Sequence, residues 1–152
     1  MKYKDTCQHC GNDAVAYTHV FSAALVNVFL KFVDYYKGLE KPRPVNVNTE
    51  IAFNHNELAA FRKLKFFGLV IKTNDNGYWL PTQFAVDFYY GRNTVTTPVA
   101  TINDKLIDDT HAAWTTHKAS RKAVFIDSLL PAGYKRRPEY KAERSPQMSM
   151  ND

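Results

Sequence analysis

Cys7 and Cys10 are the two cysteines of the 152-residue chain, and they stand in the run Cys7-Gln8-His9-Cys10-Gly11-Asn12. Two thiolates on a tight turn, followed by a glycine that can take unusual backbone angles, have the sequence form of half a zinc knuckle. A structural zinc site needs four ligands, so zinc at Cys7 and Cys10 would require two more. These would be histidines (His9, His19, His55, His111 and His117 are the candidates) or the cysteines of a second copy in a homodimer. The alternatives are a degenerate knuckle without metal, or two reduced thiols. A redox role has less behind it, because no thioredoxin-like βαβ pattern surrounds the pair. Cysteines this close cannot cross-link distant parts of a fold, which excludes a disulfide framework.

A second group of chemistry-bearing residues is cationic. Asn56, Arg62, Lys63 and Lys65 fall on one predicted helix, and Arg and Asn have the paired geometry that reads guanine and adenine edges. The plainer reading of three cations on a helix is a solvated face. Lys72 precedes the turn Asn74–Asn76, which would bring it near phosphates, although Asp75 opposes that. The stretch from Lys118 to Arg144 holds eight basic residues against three acidic ones, a net +5 that equals the excess of the whole chain. Lys135, Arg136 and Arg137 are its densest run. Tyr134 and Tyr140 beside them suit base stacking or a protein contact, and the plainer alternative is a soluble tail.

Catalytic patterns are missing from the sequence. It has no Gly-rich phosphate loop, no Gly-x-Ser-x-Gly elbow and no His-Glu-x-x-His helix. Asp108-Asp109 with His111 is a carboxylate–imidazole cluster, and such clusters on loops are more often simply solvated. The expectation is a non-enzymatic protein.

The elements that must position these residues can be read from periodicity. Tyr17, Val20, Phe21, Ala24, Leu25, Val28, Phe29 and Phe32 draw one apolar stripe, which predicts a helix over Val15 to Lys37, stopped by Gly38. Lys41-Pro42-Arg43-Pro44 is a connector. Val45 to Phe53 fits a short strand or a short helix. Asn54 with Glu57 three residues later resembles a capping box, opening a helix that Gly68 ends. Leu69 to Thr73 and Tyr78 to Leu80 predict two strands about the turn Asn74–Gly77. Pro81-Thr82 opens a short helix through Tyr90, with proline in its first turn. Thr94 to Thr101 and Asp104 to Asp108 predict a second hairpin about Asn103-Asp104. Ala123 to Ile126 predicts a strand, and Pro131 onward has a tail's composition, its last ten or so residues disordered.

Helix, short element, helix, then Gly68-Leu69-Val70, a Gly-containing turn and Trp79-Leu80-Pro81-Thr82 is an order that resembles winged-helix transcription regulators. With the cysteines added, the chain is similar to a group of small phage and archaeal proteins carrying an N-terminal Cys-x-x-Cys-Gly. The resemblance spans about Cys7 to Gly91. It implies an α+β fold: a winged helix-turn-helix with an additional C-terminal hairpin and strand region and a basic tail. The divisions expected are a knuckle over 1–14, the winged module over 15–91, a β-rich extension over 92–130 and the tail over 131–152. The usual wing end has a glycine that Pro81-Thr82-Gln83-Phe84 lacks, and Phe61, Phe66 and Phe67 stand among the cations of the second helix.

Composition agrees with a folded domain that binds an acidic partner. Apolar residues make up 45% and aromatic ones 14%, and the net charge is +5 with a pI near 9.2. There is no apolar run long enough to span a membrane and no signal peptide, so a cytoplasmic setting is expected, in a host cell if the chain is viral. The sequence reading is therefore nucleic-acid binding, to DNA before RNA, through Asn56, Arg62, Lys63, Lys65, Lys72 and Lys135 to Arg137. The other reading is a protein-interaction module that inhibits or redirects a host protein, motivated by Tyr35, Tyr36, Phe66, Tyr89 and Tyr90.

Overall fold

The computed structural model describes residues 2–6, 13–102, 105–106 and 121–138. The protein is α+β, with three α-helices and small antiparallel sheets among those residues. It divides into two compact units, each built from two separate stretches of chain: Met1–Phe21 with Thr96–Val124, and Ser22–Val95 with Phe125–Asp152. These divisions follow different lines from the four consecutive segments expected.

The first unit is β-structure. Strand β1 (Lys2–Thr6) pairs with β2 (Asp13–His19), which pairs in turn with the later strand β7 (Val99–Ile102), so that Ala16 faces Ile102 and His19 faces Val99. Strand β8 (Lys105–Leu106) completes the order β1-β2-β7-β8, closing the hairpin expected about residues 103–104. The predicted helix over Val15 to Lys37 is corrected here, since its first turns are strand β2. Tyr17, assigned to the apolar stripe, is 45% exposed, whereas its neighbour Thr18 is buried; Val20, also assigned to the stripe, follows the end of the strand and is 55% exposed. That alternation is the strand period. The ladder partners lie about eighty residues away (His19 Nε2 sits 2.9 Å from Thr101 Oγ1), beyond the reach of a local pattern. The strand expected over Thr94 to Thr101 is interrupted at Pro98, which has no N–H to donate. Strand β6 (Val95–Thr97) pairs instead with β9 (Lys122–Val124).

The second unit holds helix α1 (Ala23–Lys37), strand β3 (Val45–Asn46), helix α2 (His55–Lys63), strands β4 (Val70–Lys72) and β5 (Tyr78–Pro81), and helix α3 (Gln83–Tyr89). The sheet order is β3-β5-β4, with Val45 opposite Trp79 and Ile71 opposite Leu80. Leu25, Val28, Phe29, Phe32, Val33 and Tyr36 form the buried face of α1. Phe61 of α2 is fully buried, with Phe32 at 4.9 Å, Trp79 at 5.3 Å and Phe53 at 5.7 Å between ring centroids. Edge-to-face contacts of this kind favour one arrangement over a generic apolar contact. Phe29 and Phe88 carry the same packing from α1 to α3.

Local signals set the ends of α2. The Asn54 side chain accepts from the Glu57 backbone N–H at 2.8 Å, and the Asn54 N–H donates to Glu57 Oε1 at 3.0 Å, the reciprocal pair expected from the sequence. After Lys63 the helix tightens into a 3-10 turn over Leu64–Phe67 and stops at Gly68, whose φ of 75° is left-handed. Helix α3 starts two residues later than expected. Pro81 is the last residue of β5, and Thr82 caps the helix by accepting from the Ala85 N–H.

Candidate functional site

The second unit contains Arg62, Lys63, Lys65, Lys72 and Lys135 to Arg137, whereas Arg121 and Lys122 of the basic stretch fall in the first. Arg62, Lys63 and Lys65 are exposed at the C-terminal end of α2 and in the turn that follows, and Lys72 is exposed at the end of β4. Asn56 is exposed in the first turn of α2. The helix has two solvent-reaching faces. Asn56, Ala59 and Lys63 follow one another at helical spacing on the outward stripe. Leu58 and Arg62 share another face, which borders a cleft.

That cleft has a volume of about 290 Å³ and is lined by Val47, Asn48, Leu58, Phe61, Arg62, Lys72, Asn76, Gly77 and Trp79. Its walls are thus α2, the turn after β3, and the β4–β5 hairpin. Arg62 and Lys72, ten positions apart in sequence, meet at this one feature. No acidic residue lines it. Among the described residues, Arg62, Lys63, Lys72 and Lys135 have no ion-pair partner. By contrast Lys31, Arg43, Arg92 and Arg136 each face a carboxylate, of Glu57, Glu50, Asp87 and Asp127 respectively.

The cleft's shape is built into the backbone. Val47 N–H donates to the Gly77 carbonyl at 3.1 Å, tying the turn after β3 to the hairpin. Gly77 has a φ of +82°, and a Cβ there would lie 2.7 Å from Asn48 Nδ2. Glycine is therefore needed at this position both for the turn and for the close approach of Asn48. The same turn is pinned from the other side. Arg43 donates to both oxygens of Glu50 at 3.0 and 2.6 Å, Tyr35 donates its hydroxyl at 2.8 Å, and the Asn46 N–H donates at 2.8 Å. The Arg43 hydrogen bonds, aided by those of Asn46 and Tyr35, hold the Glu50 carboxyl down at about 2 against the opposing effect of burial. At the far end of α2, Lys31 Nζ and Asn27 Nδ2 both donate to Glu57 Oε2, at 2.6 and 3.1 Å, joining α2 to α1. The first of these lowers the Glu57 carboxyl from its ordinary value.

Lys135, Arg136 and Arg137 belong to a different feature. Residues 131–138 were expected to be tail, and they are instead strapped to α1 and α3. The Tyr134 hydroxyl donates to Asp34 Oδ1 at 2.7 Å and reaches Oδ2 at 2.9 Å. The Tyr89 hydroxyl donates to Asp34 Oδ1 at 2.6 Å and accepts from the Arg137 backbone N–H at 2.8 Å. Burial first, and the neighbouring hydroxyl and Asp34 next, raise the Tyr134 hydroxyl well above the ordinary tyrosine value; burial and Asp34 raise Tyr89 as well. Arg136 is paired with Asp127. Of the three cations in this run, Lys135 and Arg137 are exposed and Arg136 is half-buried.

Several aromatic candidates change meaning. Phe61, Phe66 and Phe67 all point into the core, so they are not surface features of α2. Tyr36, Phe66 and Tyr89, offered as a protein-binding surface, are buried; Tyr35 is half-buried and bonded to Glu50, and Tyr90 is half-buried. Tyr134, offered for stacking, has its hydroxyl committed to Asp34. The sequence reading missed Asn48 and Trp79 as neighbours of Arg62 and Lys72. The signal available was the asparagine-rich pair of runs at 46–48 and 74–76, which mark two turns, but not that the turns meet.

Cys7, Cys10 and the Asp108-Asp109-His111 cluster lie outside the described residues. Among the described residues, no group of three or more His, Cys, Asp or Glu side chains is placed to hold a metal ion. Also among them, no helix is long and apolar enough to cross a membrane. No protein-family model matches the chain, and comparisons with curated proteins and with solved structures likewise find no match.

Proposed function

We propose that the second unit is a winged-helix module that binds nucleic acid, with α2 and the β4–β5 hairpin as its binding face. The element order supports the fold reading: helix, short strand, turn, helix, hairpin, with the first strand pairing to the second strand of the hairpin. One observation carries the functional reading. Arg62 from the helix and Lys72 from the hairpin converge on one concave feature that has no carboxylate in its lining. Two cations held together by separate rigid elements suit the spaced negative charges of a phosphate backbone. Lys63 and Lys65 extend the positive edge beside them, and Lys135 to Arg137 form an auxiliary contact on the strap. The reading is of a binder, not an enzyme.

The test is fluorescence polarisation with labelled DNA at low salt, repeated as salt is raised. Binding should weaken steeply with salt, because each neutralised phosphate releases counterions. Replacing Arg62 and Lys72 by Ala together should reduce the magnitude of the salt slope by about two, one for each phosphate contact. Absence of binding to any duplex or single strand at low salt would overturn the reading. Zinc at Cys7 and Cys10, completed by histidines or by a second copy, is part of the same proposal. Native mass spectrometry reads metal, oligomer and bound nucleic acid at once.

A further inference from the structure

The way the cations are turned bears on which form of nucleic acid is taken. A helix that reads a duplex enters the major groove, so its reading surface has to be convex and lined with polar side chains. The outward stripe of α2 offers Asn56, Ala59 and Lys63, with one methyl group at its centre. Arg62 instead borders a cavity. At about 290 Å³, it matches the lower end of small-ligand sites, about 300–1,000 Å³. Its lining is also mixed in a particular way. Leu58 gives it a half-exposed apolar edge in front of the buried Val47, Phe61 and Trp79, Asn48 and Asn76 bring exposed side-chain amides, and Arg62 and Lys72 bring charge.

Resting on the nucleic-acid reading above, we propose that this cleft receives one unpaired nucleotide of a single strand or a strand end. The phosphate sits with Arg62 and Lys72, and the base enters between the two asparagines, with Leu58 at its edge. The amides of Asn48 and Asn76 supply donors and acceptors to the base edge, which is free to accept them only when the base is unpaired. A paired base inside a duplex can offer neither its face nor its pairing edge to a cavity of this size. The dependence on Gly77 follows as well. Asn48 reaches its position because the glycine has no side chain to displace it.

The experiment compares a blunt DNA duplex, the same duplex with a short single-stranded overhang, and one of its strands alone, by polarisation at fixed salt. The overhang and the single strand should bind about tenfold more tightly than the blunt duplex, the scale of one or two hydrogen bonds to a base edge. The exposed pair Asn48→Ala and Asn76→Ala, checked for folding by circular dichroism, should remove that preference while leaving salt-dependent binding to the blunt duplex. Equal or tighter binding of the blunt duplex would overturn the inference and leave nucleic-acid binding intact. Persistence of the preference in the folded double variant would also overturn it, because the nucleotide would then be held elsewhere. Failure of all three ligands to bind would overturn both readings together.

Discussion

Replacing Tyr134 by Phe isolates what holds the C-terminal strap. The substitution keeps the ring and leaves no cavity, so it removes one hydroxyl and nothing else. That hydroxyl donates to Asp34 at 2.7 Å, within reach of the second carboxylate oxygen at 2.9 Å. A hydrogen bond to a charged group contributes about 1.5–3 kcal/mol. The side chain is half-buried, and Tyr89 still donates to Asp34 Oδ1 at 2.6 Å after the change, so Asp34 is not left without a donor. We therefore expect a loss of about 1–2 kcal/mol, the lower part of that range. The strap carries two trypsin sites, after Lys135 and after Arg136 (Arg137 precedes Pro138), and cleavage there requires local opening. Opening should become about 5–30-fold more frequent, with cleavage rising by the same factor. Urea unfolding followed by circular dichroism gives the global change, and mass spectrometry of the early tryptic products gives the local one. In an Asp34→Ala background the Tyr134→Phe change should have a much smaller effect, since only the Tyr89 hydroxyl at 3.1 Å then remains as a partner of the Tyr134 hydroxyl. Unchanged cleavage at residues 135–137 in Tyr134→Phe would refute the reasoning and mean that apolar packing alone secures the strap.

Two further outcomes follow from polar groups of the same unit. Glu50 titrates at about 2 in the folded protein against an ordinary 4.5, so its contribution to stability is complete above pH 4.5 and is lost as pH falls toward 2. The difference in urea midpoint between the wild type and Glu50→Gln should accordingly shrink across that window, and a constant difference would exclude the Arg43 pair as its source. Asn54→Ala removes the acceptor for the Glu57 N–H and should lower stability by about 1 kcal/mol, while Asn54→Ser should recover most of it. Equal midpoints for all three proteins would show that α2 is held by Phe61 and the Lys31–Glu57 pair without its cap.

What could be read from the sequence was whatever depends on neighbours along the chain. The capping box at Asn54 and Glu57, the left-handed stop at Gly68 and the hairpin turn ending at Gly77 are each set by a few adjacent residues, and each was legible. The start of α1 was not. Tyr17, Val20 and Phe21 continue the helical spacing of Ala24 and Leu25, but Tyr17 pairs with a distant strand and the Phe21 N–H is taken by Thr97 Oγ1, so the helix starts only after them. The candidate site divides the same way. Arg62 and Lys72 were visible as cations on a helix and beside a turn. Their meeting depends on Val47 bonding to Gly77, a tertiary contact with no periodic trace. Asp34 lies off the apolar stripe, and nothing beside it in sequence marks its role, since its partners come from positions 89 and 134.

The pairing of β2 with β7 also has a consequence in time. Ala16 to His19 find their ladder partners at Val99 to Ile102, so the first unit cannot close until most of the chain has been synthesised. The β1–β2 hairpin can form early, but an isolated hairpin is marginal in water. Contacts this far apart in sequence also form slowly once both partners are present. Strand β2 is thus made well before its partner and settles only after it. Until then β2 carries an unpaired edge, the kind of surface that recruits other nascent chains. Expression conditions that slow folding should therefore reveal themselves first as aggregation through this strand, while residues 22–95 are already assembled.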